Sequence, residues 1–484
     1  MIQSSRILIA AALLAPLAAE AQQAVPQAFD RTRPPALATS AALTVPAVKS
    51  VRLENGAAIR VVEQHELPLV HITLQLAGGG RLDHDTPGLA SFVTTMIREG
   101  AGARDANSLQ SELAFLGASL SANADWDNTT VTLRVAKRNL GPALDLMADV
   151  VLRPTFRDAD VRQQRDLRLA NLLQQKDQPR ALAQLAFNQA LFPAGHPYNR
   201  SLGGDSASTT KLDSATVRAF HSGAYRPMRA TFTVVGDISD AEARTQLQRR
   251  FGTWAVSGAE RTPAPVLVTP VRTTAQRVIL VDKPGAAQSV VMIGVPGIER
   301  TTPDYASVMV MNTILGGSFS SRLMTNLRET KGYTYGVSSS FQWRPLPGAW
   351  IASSDVRTNV TDSSLVELFK ELTALRTTEV AADEIARGKA YLALGVPGDL
   401  ESTAQIAGQI TALAAFNLPL TYLQEYVVAI DKVTAADVLR TARRLIPADN
   451  ATIVIVGDLS KIRAGIEALN LGPISVLDIA ELTK

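Results

Sequence analysis

The feature that most constrains the fold of this chain is a gapless internal repeat. Residues 211–217 (KLDSATV) correspond to residues 432–438 (KVTAADV), and residues 230–239 (ATFTVVGDIS) correspond to residues 451–460 (ATIVIVGDLS). Both correspondences have the same offset of 221 residues. Each copy has the pattern of a helix, a strand, a Gly-Asp turn and a second helix. The sequence therefore predicts two copies of one α+β domain.

The repeat and the local composition divide the chain into five segments. These are a signal peptide at 1–21, an extended linker rich in Ala, Pro and Thr at 22–50, a first domain at 51–255, an interdomain linker at 256–274 and a second domain at 275–480. Pro263, Pro265 and Pro270 break both helix and strand patterns in the second linker. Two copies joined in this way can enclose a cleft, and ligands favour such interfaces.

The N-terminal residues predict export. A single charge at Arg6 precedes an apolar run over 7–19, which ends in the small-x-small pattern Ala19-Glu20-Ala21 of a cleavage site. No later segment offers about 18 consecutive apolar residues, so no stable membrane insertion is expected. We therefore expect a bacterial periplasmic or secreted protein after cleavage near Ala21.

Charge and cysteine content exclude several classes of function. The formal net charge is only +3, and we find no block of like charges, so no nucleic-acid partner is indicated. The chain contains no cysteine, which excludes a lipoprotein anchor, a disulfide framework, a thiolate metal site and a cysteine nucleophile.

The main candidate functional side chains lie in residues 316–336 (GGSFSSRLMTNLRETKGYTYG). Leu323 and Leu327 are one turn apart, which predicts a short amphipathic helix over 321–330 that Gly332 ends. The alternating residues that follow predict a strand toward Ser340. The two leading glycines are predicted to open the helix with a hydroxyl cap, rather than to contact an extended peptide.

Arg328 and Tyr335 flank this predicted helix-to-strand corner. A guanidinium and a phenol are both hydrogen-bond donors at neutral pH. Donors aimed at a carbonyl oxygen stabilise the negative charge that develops in peptide hydrolysis. The alternative is a surface arginine beside a half-buried tyrosine that packs at a sheet edge. The residues of the corner alone leave both interpretations open.

Several short motifs, taken in chain order, resemble the insulinase or pitrilysin family (M16) of zinc peptidases over nearly the whole mature chain. They are Leu53-Glu54-Asn55-Gly56, Pro87-Gly88-Leu89-Ala90, Leu191-Phe192-Pro193, Gly195-His196-Pro197-Tyr198, Val235-Gly236-Asp237 and the Arg328/Tyr335 corner. Each motif alone is weak evidence for the family, but the occurrence of all of them in this order is specific. The resemblance implies two homologous α+β domains that form a clam-like chamber.

The resemblance also shows where this chain departs from active family members. Their helix after Gly-Leu-Ala carries His-x-x-Glu-His, which supplies two zinc ligands and a general base on one helix face. The matching positions here are Ser91, Thr94 and Thr95, whose neutral hydroxyls are poor zinc ligands and cannot replace a carboxylate base. The family's further glutamate ligand would fall near Asn171 and Leu172, and the nearest acids are Asp166 and Asp177. The sequence therefore predicts no metal and no other cofactor on this chain.

Family members use an arginine and a tyrosine, at positions matching Arg328 and Tyr335, to hold the substrate backbone opposite the zinc. In some relatives one subunit brings the zinc motif and its partner brings this pair. The resemblance thus implies a non-catalytic subunit that binds peptide and forms a heterodimer with a zinc-bearing His-x-x-Glu-His subunit. Two alternatives remain: a secreted peptide-binding or scaffold protein with no catalytic share, and an autonomous metallopeptidase with an unusual metal site.

Other candidate sites are weaker. Only His65-Glu66 with His71, and Asp83-His84-Asp85, suggest a new metal site, and neither has the spacing of three zinc ligands. Gly78-Gly79-Gly80 lacks the lysine that a phosphate-binding loop requires. His196 is predicted to be structural.

Overall fold

A computed structural model describes residues 45–256, 258–263, 270, 272–419 and 421–483. The predicted signal peptide and most of the first linker lie outside the described residues. The first half contains β1 (Lys49–Arg52), β2 (Ala58–Glu63), β3 (Leu69–Ala77), α1 (Leu89–Met96), β4 (Gly100–Ala101), β5 (Arg104–Asp105), α2 (Ala106–Phe115), β6 (Ser119–Ala124), β7 (Asn128–Ala136), α3 (Leu140–Leu152), α4 (Asp158–Gln175), α5 (Pro179–Leu191), α6 (Ser206–Thr210), α7 (Ser214–Ala224), β8 (Ala230–Gly236) and α8 (Asp240–Phe251).

The second half contains β9 (Arg277–Asp282), β10 (Gln288–Pro296), α9 (Tyr305–Asn312), β11 (Thr334–Phe341), β12 (Ala349–Arg357), α10 (Thr361–Thr377), α11 (Ala382–Gly398), α12 (Thr403–Ala415), α13 (Tyr422–Lys432), α14 (Ala435–Leu445), β13 (Thr452–Gly457), α15 (Leu459–Ala468), β14 (Ile474–Leu477) and α16 (Ile479–Leu482). Two π-helical turns, Thr313–Gly317 and Met324–Thr330, precede β11.

The duplication is visible in the two six-stranded sheets. The first sheet has the strand order β1-β2-β8-β3-β7-β6, and the second, read from its far edge, has the order β14-β9-β13-β10-β12-β11. In both sheets the second and third strands are parallel and the next three pairings are antiparallel. The predicted pair of α+β domains is confirmed, and β6 and β11 are equivalent edge strands.

Period-two patterning gives each sheet two distinct faces. In β3, Val70, Ile72 and Leu74 alternate with His71 and Thr73. The three apolar side chains are buried in the core of the first half, where they pack with residues of α1 and α3. Because neighbouring strand residues point to opposite faces, the polar residues lie on the other side of the sheet.

Each half covers the second face of the other half's sheet with one helix. Helix α5 of the first half packs Leu182 and Phe187 onto Val290, Met292 and Val454 of the second sheet. Helix α12 of the second half packs Ile406, Ala407 and Ile410 onto Val62 and Val235 of the first sheet. This exchange of helices joins the two halves of the described chain into one compact unit.

The long helical region that the sequence predicts over 158–190 is present, divided into α4 and α5 because Pro179 begins a new helix at its first turn. Another local prediction is wrong. Asn139 is predicted to cap α3, but its side-chain amide instead donates to the carbonyl oxygen of Leu116 at 2.8 Å. That tertiary contact holds the side chain in an orientation in which its Oδ1, the acceptor that a cap would require, takes no hydrogen bond from the first turn of α3.

Candidate functional site

Helix α1 places the three hydroxyl residues of the degenerate motif on one face, where each donates to main-chain oxygens. Thr94 Oγ1 and Thr95 Oγ1 donate to the carbonyl oxygen of Ser91 at 2.8 and 3.3 Å. Ser91 Oγ lies 3.0 Å from both the Gly88 and the Leu202 carbonyl oxygens. These hydroxyls stabilise the helix and its contact with the loop at Leu202, and they offer no anionic ligand.

A guanidinium stands beside Ser91. Arg168 of α4 donates through Nη1 to the Gly88 carbonyl oxygen at 2.9 Å and to Ser91 Oγ at 3.0 Å. Its guanidinium also lies 4.9 Å from the centre of the Phe92 ring. Burial lowers the pKa of Arg168 to about 10, so the group stays charged at neutral pH. A fixed cation at this point repels a divalent ion, and the residues here do not fit zinc.

The other expected acids have separate partners. Asp166 pairs with Arg165 at 3.4 Å, and Asp177 pairs with Lys283 at 2.7 Å. Among the residues that the structure describes, no three His, Asp or Glu side chains lie together as a metal could require. Sequence reasoning missed Arg168, although it lies about one helical turn before residues 171–172, where the family's glutamate ligand was expected.

The histidines are held apart in structural contacts. His65 pairs with Asp237 at 2.7 Å, whereas His71 is buried in β3 and contacts Thr73. His84 Nε2 lies 2.8 Å from the Thr262 carbonyl oxygen. His196 Nδ1 accepts from the Tyr198 amide at 3.1 Å inside an aromatic cluster, as a structural residue would. Neither grouping proposed from the sequence forms a metal site.

The glycines before the second-half corner permit a close approach to β11. A Cβ atom on Gly316 would lie 2.6 Å from the backbone nitrogen of Ser339. Asn312 fixes this approach, since its amide donates to the Ser339 carbonyl at 2.8 Å and its Oδ1 accepts from Ser339 Oγ at 2.9 Å. The prediction that a hydroxyl caps the following helix is wrong, because Ser321 Oγ, just before the first helical residue, is buried without a hydrogen-bond partner among the described residues. The close approach to Ser339 explains the glycine at 316.

The predicted helix over 321–330 is present, and most of it is a π-helical turn, Met324–Thr330, with Leu327 buried beneath it. Ion pairs attach this turn to the neighbouring helices. Arg322 forms two bonds of 2.6 and 2.7 Å with the carboxylate of Glu384. Glu367 of α10 accepts from Asn326 at 3.0 Å and pairs with Lys331 at 2.8 Å. The turn that carries Arg328 is therefore fixed on both sides.

Replacement of Glu367 by glutamine is expected to destabilise the fold by about 1–2 kcal/mol at neutral pH. The contacts with Lys331 and Asn326 lower the pKa of Glu367 to about 2, below its ordinary 4.5. A depressed carboxyl pKa stabilises the folded state above about pH 4.5, and this stabilisation is lost as the pH falls toward 2. The difference between wild type and variant in urea unfolding should therefore shrink over that interval.

Glu467→Gln is the matched control, because Glu467 makes only an exposed pair with Arg463. Its unfolding free energy should change by less than about 0.5 kcal/mol. An equal effect of both variants at pH 7, or a Glu367→Gln effect that does not vary with pH, would contradict the assigned role of Glu367.

Tyr335 faces outward at the corner, whereas the side chain of Arg328 is 35% exposed. The guanidinium of Arg328 lies 4.6 Å from the centre of the Phe319 ring, with Glu329 at 3.3 Å from its Nε. The side chain of Tyr335 is 88% exposed. The β11–β12 register shifts between Thr334 and Val337, so Tyr335 lies in a bulge, a feature that re-aims side chains. No hydrogen bond joins Arg328 to Tyr335 in the described chain.

This exposure argues against the ordinary packing alternative for the tyrosine. A tyrosine that stabilises a sheet edge would bury its ring, because the ring supplies most of its packing energy. Strand β11 is also an edge strand, so within the described residues no further strand pairs with its outer side. The corner thus combines the exposed hydroxyl of Tyr335, the partly exposed guanidinium of Arg328 and the edge strand β11.

Comparisons with known proteins agree with this architecture. Residues 60–206 match the sequence model of the insulinase family (peptidase family M16), and residues 211–392 match that of the peptidase M16 inactive domain. An uncharacterized zinc protease of Mycobacterium leprae is 29% identical over 286 residues, which are 58% of this chain and 63% of that protein. The chain thus spans less than two thirds of this relative's length.

Solved structures show the same fold. A peptidase M16 inactive domain from Pseudomonas fluorescens has a TM-score of 0.78 and 28% identity, covering 85% of this chain and 98% of that one. The periplasmic protease PqqL of Escherichia coli has a TM-score of 0.71 and 15% identity, covering 90% of this chain and 52% of that one. No helix in the described ranges is long and apolar enough to cross a membrane. With two family models matched in succession and the fold shared, this chain belongs to the insulinase family, M16.

Proposed function

We propose that this chain is the zinc-less subunit of a heteromeric M16 peptidase, which binds and orients peptide for hydrolysis at a partner's zinc site. The observation that carries the proposal is the contrast between the two halves. In the first half, the Arg168 guanidinium lies against the degenerate helix. In the second half, Arg328 and Tyr335 remain as donors on a fixed corner, with Tyr335 largely accessible and Arg328 about one third exposed.

Arg328 and Tyr335 would act on the peptide backbone. Both side chains donate hydrogen bonds at neutral pH, so both can bind the carbonyl oxygen of the bond to be cleaved or of its neighbour. Their stabilisation grows as negative charge develops on that oxygen. The free edge of β11 could hold the peptide extended by strand addition. The partner's zinc would supply the activated water.

Export is part of the proposal. A periplasmic or secreted location follows from the N-terminal sequence pattern alone. A partner subunit carrying His-x-x-Glu-His would have to reach the same compartment.

The test is to isolate the tagged chain from periplasmic extract of its native host and to identify and quantify co-purifying proteins by mass spectrometry. We expect a stoichiometric partner that carries His-x-x-Glu-His. The recombinant chain alone should contain far less than one zinc per molecule and should not cleave peptides, whereas the complex should contain zinc and cleave them.

The alternatives predict different results. A chain recovered alone or self-associated would contradict the subunit proposal and favour a peptide-binding or scaffold role. Stoichiometric zinc in the isolated chain, together with peptidase activity, would instead identify an autonomous enzyme with an unusual metal site.

A further inference from the structure

The two repeats differ at the face that each exchanged helix covers. In the second sheet this face is apolar, with Val290, Met292 and Val454 packed against α5. In the first sheet the apolar contact with α12 is confined to Val62 and Val235. The remainder of that face is polar and borders a cavity of about 590 Å³, a volume typical of small-ligand sites.

Polar side chains from two adjacent strands form one wall of this cavity. They are His71, Thr73 and Gln75 of β3 and Thr130 and Thr132 of β7. Thr73 pairs with Thr132 and Gln75 with Thr130 across the strands, so the polar groups lie side by side. Thr73 Oγ1 lies 3.2 Å from His71 Nε2 and 3.5 Å from Thr132 Oγ1, so part of this face is already hydrogen-bonded. Its remaining polar groups can bind a ligand.

Small residues on α12 keep the space open. The helix lines the cavity with Ala404, Gly408, Ala412 and Ala415 together with Thr411. Where α12 packs on the sheet, it uses the larger Ile406 and Ile410. The cavity therefore borders a face of α12 with small side chains, which is distinct from the face that carries Ile406 and Ile410.

Arg344 supplies the charge of the site. It lines the cavity with its guanidinium stacked 4.1 Å from the centre of the Trp126 ring and 4.3 Å from that of Tyr198. No residue in the described ranges forms an ion pair or hydrogen bond with the guanidinium. Two aromatic faces thus hold the group in place while its N–H donors stay available.

The two acids at the cavity already have partners. Asp125 accepts the backbone N–H groups of Asp127 and Asn128 at 2.6 and 2.7 Å. Asp127 accepts the Tyr198 hydroxyl at 2.9 and 3.0 Å and lies 3.5 Å from Arg81. The carboxylates are held by these contacts, and Arg344 keeps its donors for another anion.

Two further buried atoms point to a bound ligand. His71 is only 8% exposed and lines the cavity, yet its Nδ1 has no hydrogen-bond partner among the described residues. Nε1 of Trp126, also a cavity residue, is buried without a partner in the same ranges. Buried polar atoms are normally paired, so these two indicate a polar occupant.

We propose that this cavity is a second ligand site, in which Arg344 binds the carboxylate of a short peptide or amino acid. A planar guanidinium matches a carboxylate with two parallel hydrogen bonds. The threonine hydroxyls, Gln75 and His71 can bind the adjacent amide groups. The site is separate from the Arg328/Tyr335 corner and does not depend on a zinc-bearing partner.

The test is calorimetric titration of the purified full chain with three probes: Ala-Ala-Ala, Ala-Ala-Ala-amide and acetyl-Ala-Glu-Ala-amide. We expect the free-carboxylate tripeptide to bind at least about tenfold more tightly than its amide, because the amide loses a charge-assisted contact. Tighter binding of the acetylated glutamate peptide than of Ala-Ala-Ala would identify a side-chain carboxylate as the source.

Variants link binding to the site. Arg344→Gln should weaken carboxylate binding at least about tenfold, and Arg344→Lys should weaken it less because the charge remains. Gly408→Leu should block binding by filling the cavity, and it is compatible with folding because a Cβ there meets no atom within 4 Å. Arg463→Gln, which makes the same charge change on an exposed helix, is the control and should bind as wild type.

Three results would overturn the proposal. They are no binding of any probe by wild type at millimolar concentration, equal binding of the tripeptide and its amide, and wild-type affinity in both Arg344→Gln and Gly408→Leu. None of these results bears on whether the chain has a zinc-bearing partner, so the two proposals fail independently.

Discussion

Replacing Tyr335 with phenylalanine is expected to lower the turnover of the complex with its zinc-bearing partner at least about tenfold, and up to the roughly 100- to 1000-fold typical of a lost oxyanion donor. The change removes one hydroxyl from a side chain that is 88% exposed, so it leaves the packing of the corner intact. Hydrolysis of an internally quenched peptide by the reconstituted complex would measure the effect.

A matched control is Tyr391→Phe, which removes the hydroxyl of another exposed tyrosine, on α11. This variant should keep wild-type turnover. The loss in Tyr335→Phe should appear mainly in kcat, because the contact strengthens only as charge develops on the carbonyl oxygen. Unchanged turnover in a complex that still assembles would exclude the assigned role of Tyr335.

Replacing Phe187 with alanine is expected to destabilise the protein by about 3–5 kcal/mol. Phe187 of α5 is fully buried against the sheet of the other half. Its ring packs against the backbone at Gly294, where a Cβ atom would approach the ring to 2.5 Å. Removing the ring would leave a cavity that the glycine backbone cannot fill. The loss of stability should therefore reach the upper range for core truncations. Urea unfolding followed by circular dichroism measures it.

Phe115→Ala removes an equally large side chain that is 88% exposed at the end of α2, and it should cost less than about 0.5 kcal/mol. If the two halves were joined only by the linker and did not pack together, Phe187→Ala would also lower the stability only slightly. An effect below about 1 kcal/mol would contradict the importance of the exchanged helix for the fold.

Local patterns predicted the elements at the second-half corner. The spacing of Leu323 and Leu327 indicated a helical turn, and the alternation after Gly332 indicated the strand that became β11. The π-helical form and the reason for Gly316 were not predictable, because both depend on contacts with α10 and β11. Asn139 shows the same limit of prediction from local sequence. It is a residue type that often caps helices, but its amide donates to the carbonyl oxygen of Leu116, which is distant in sequence.

The sequence by itself determined the duplication, the α+β class and the loss of the zinc ligands at Ser91, Thr94 and Thr95. Repeats, periodicity and ligand identity are properties of residues near one another in the chain, so they can be read without coordinates. Only the tertiary structure decided that Arg168 lies against the degenerate motif, that the halves exchange helices and that Arg344 borders a polar cavity. Each of these depends on packing between segments far apart in sequence, which no local pattern encodes.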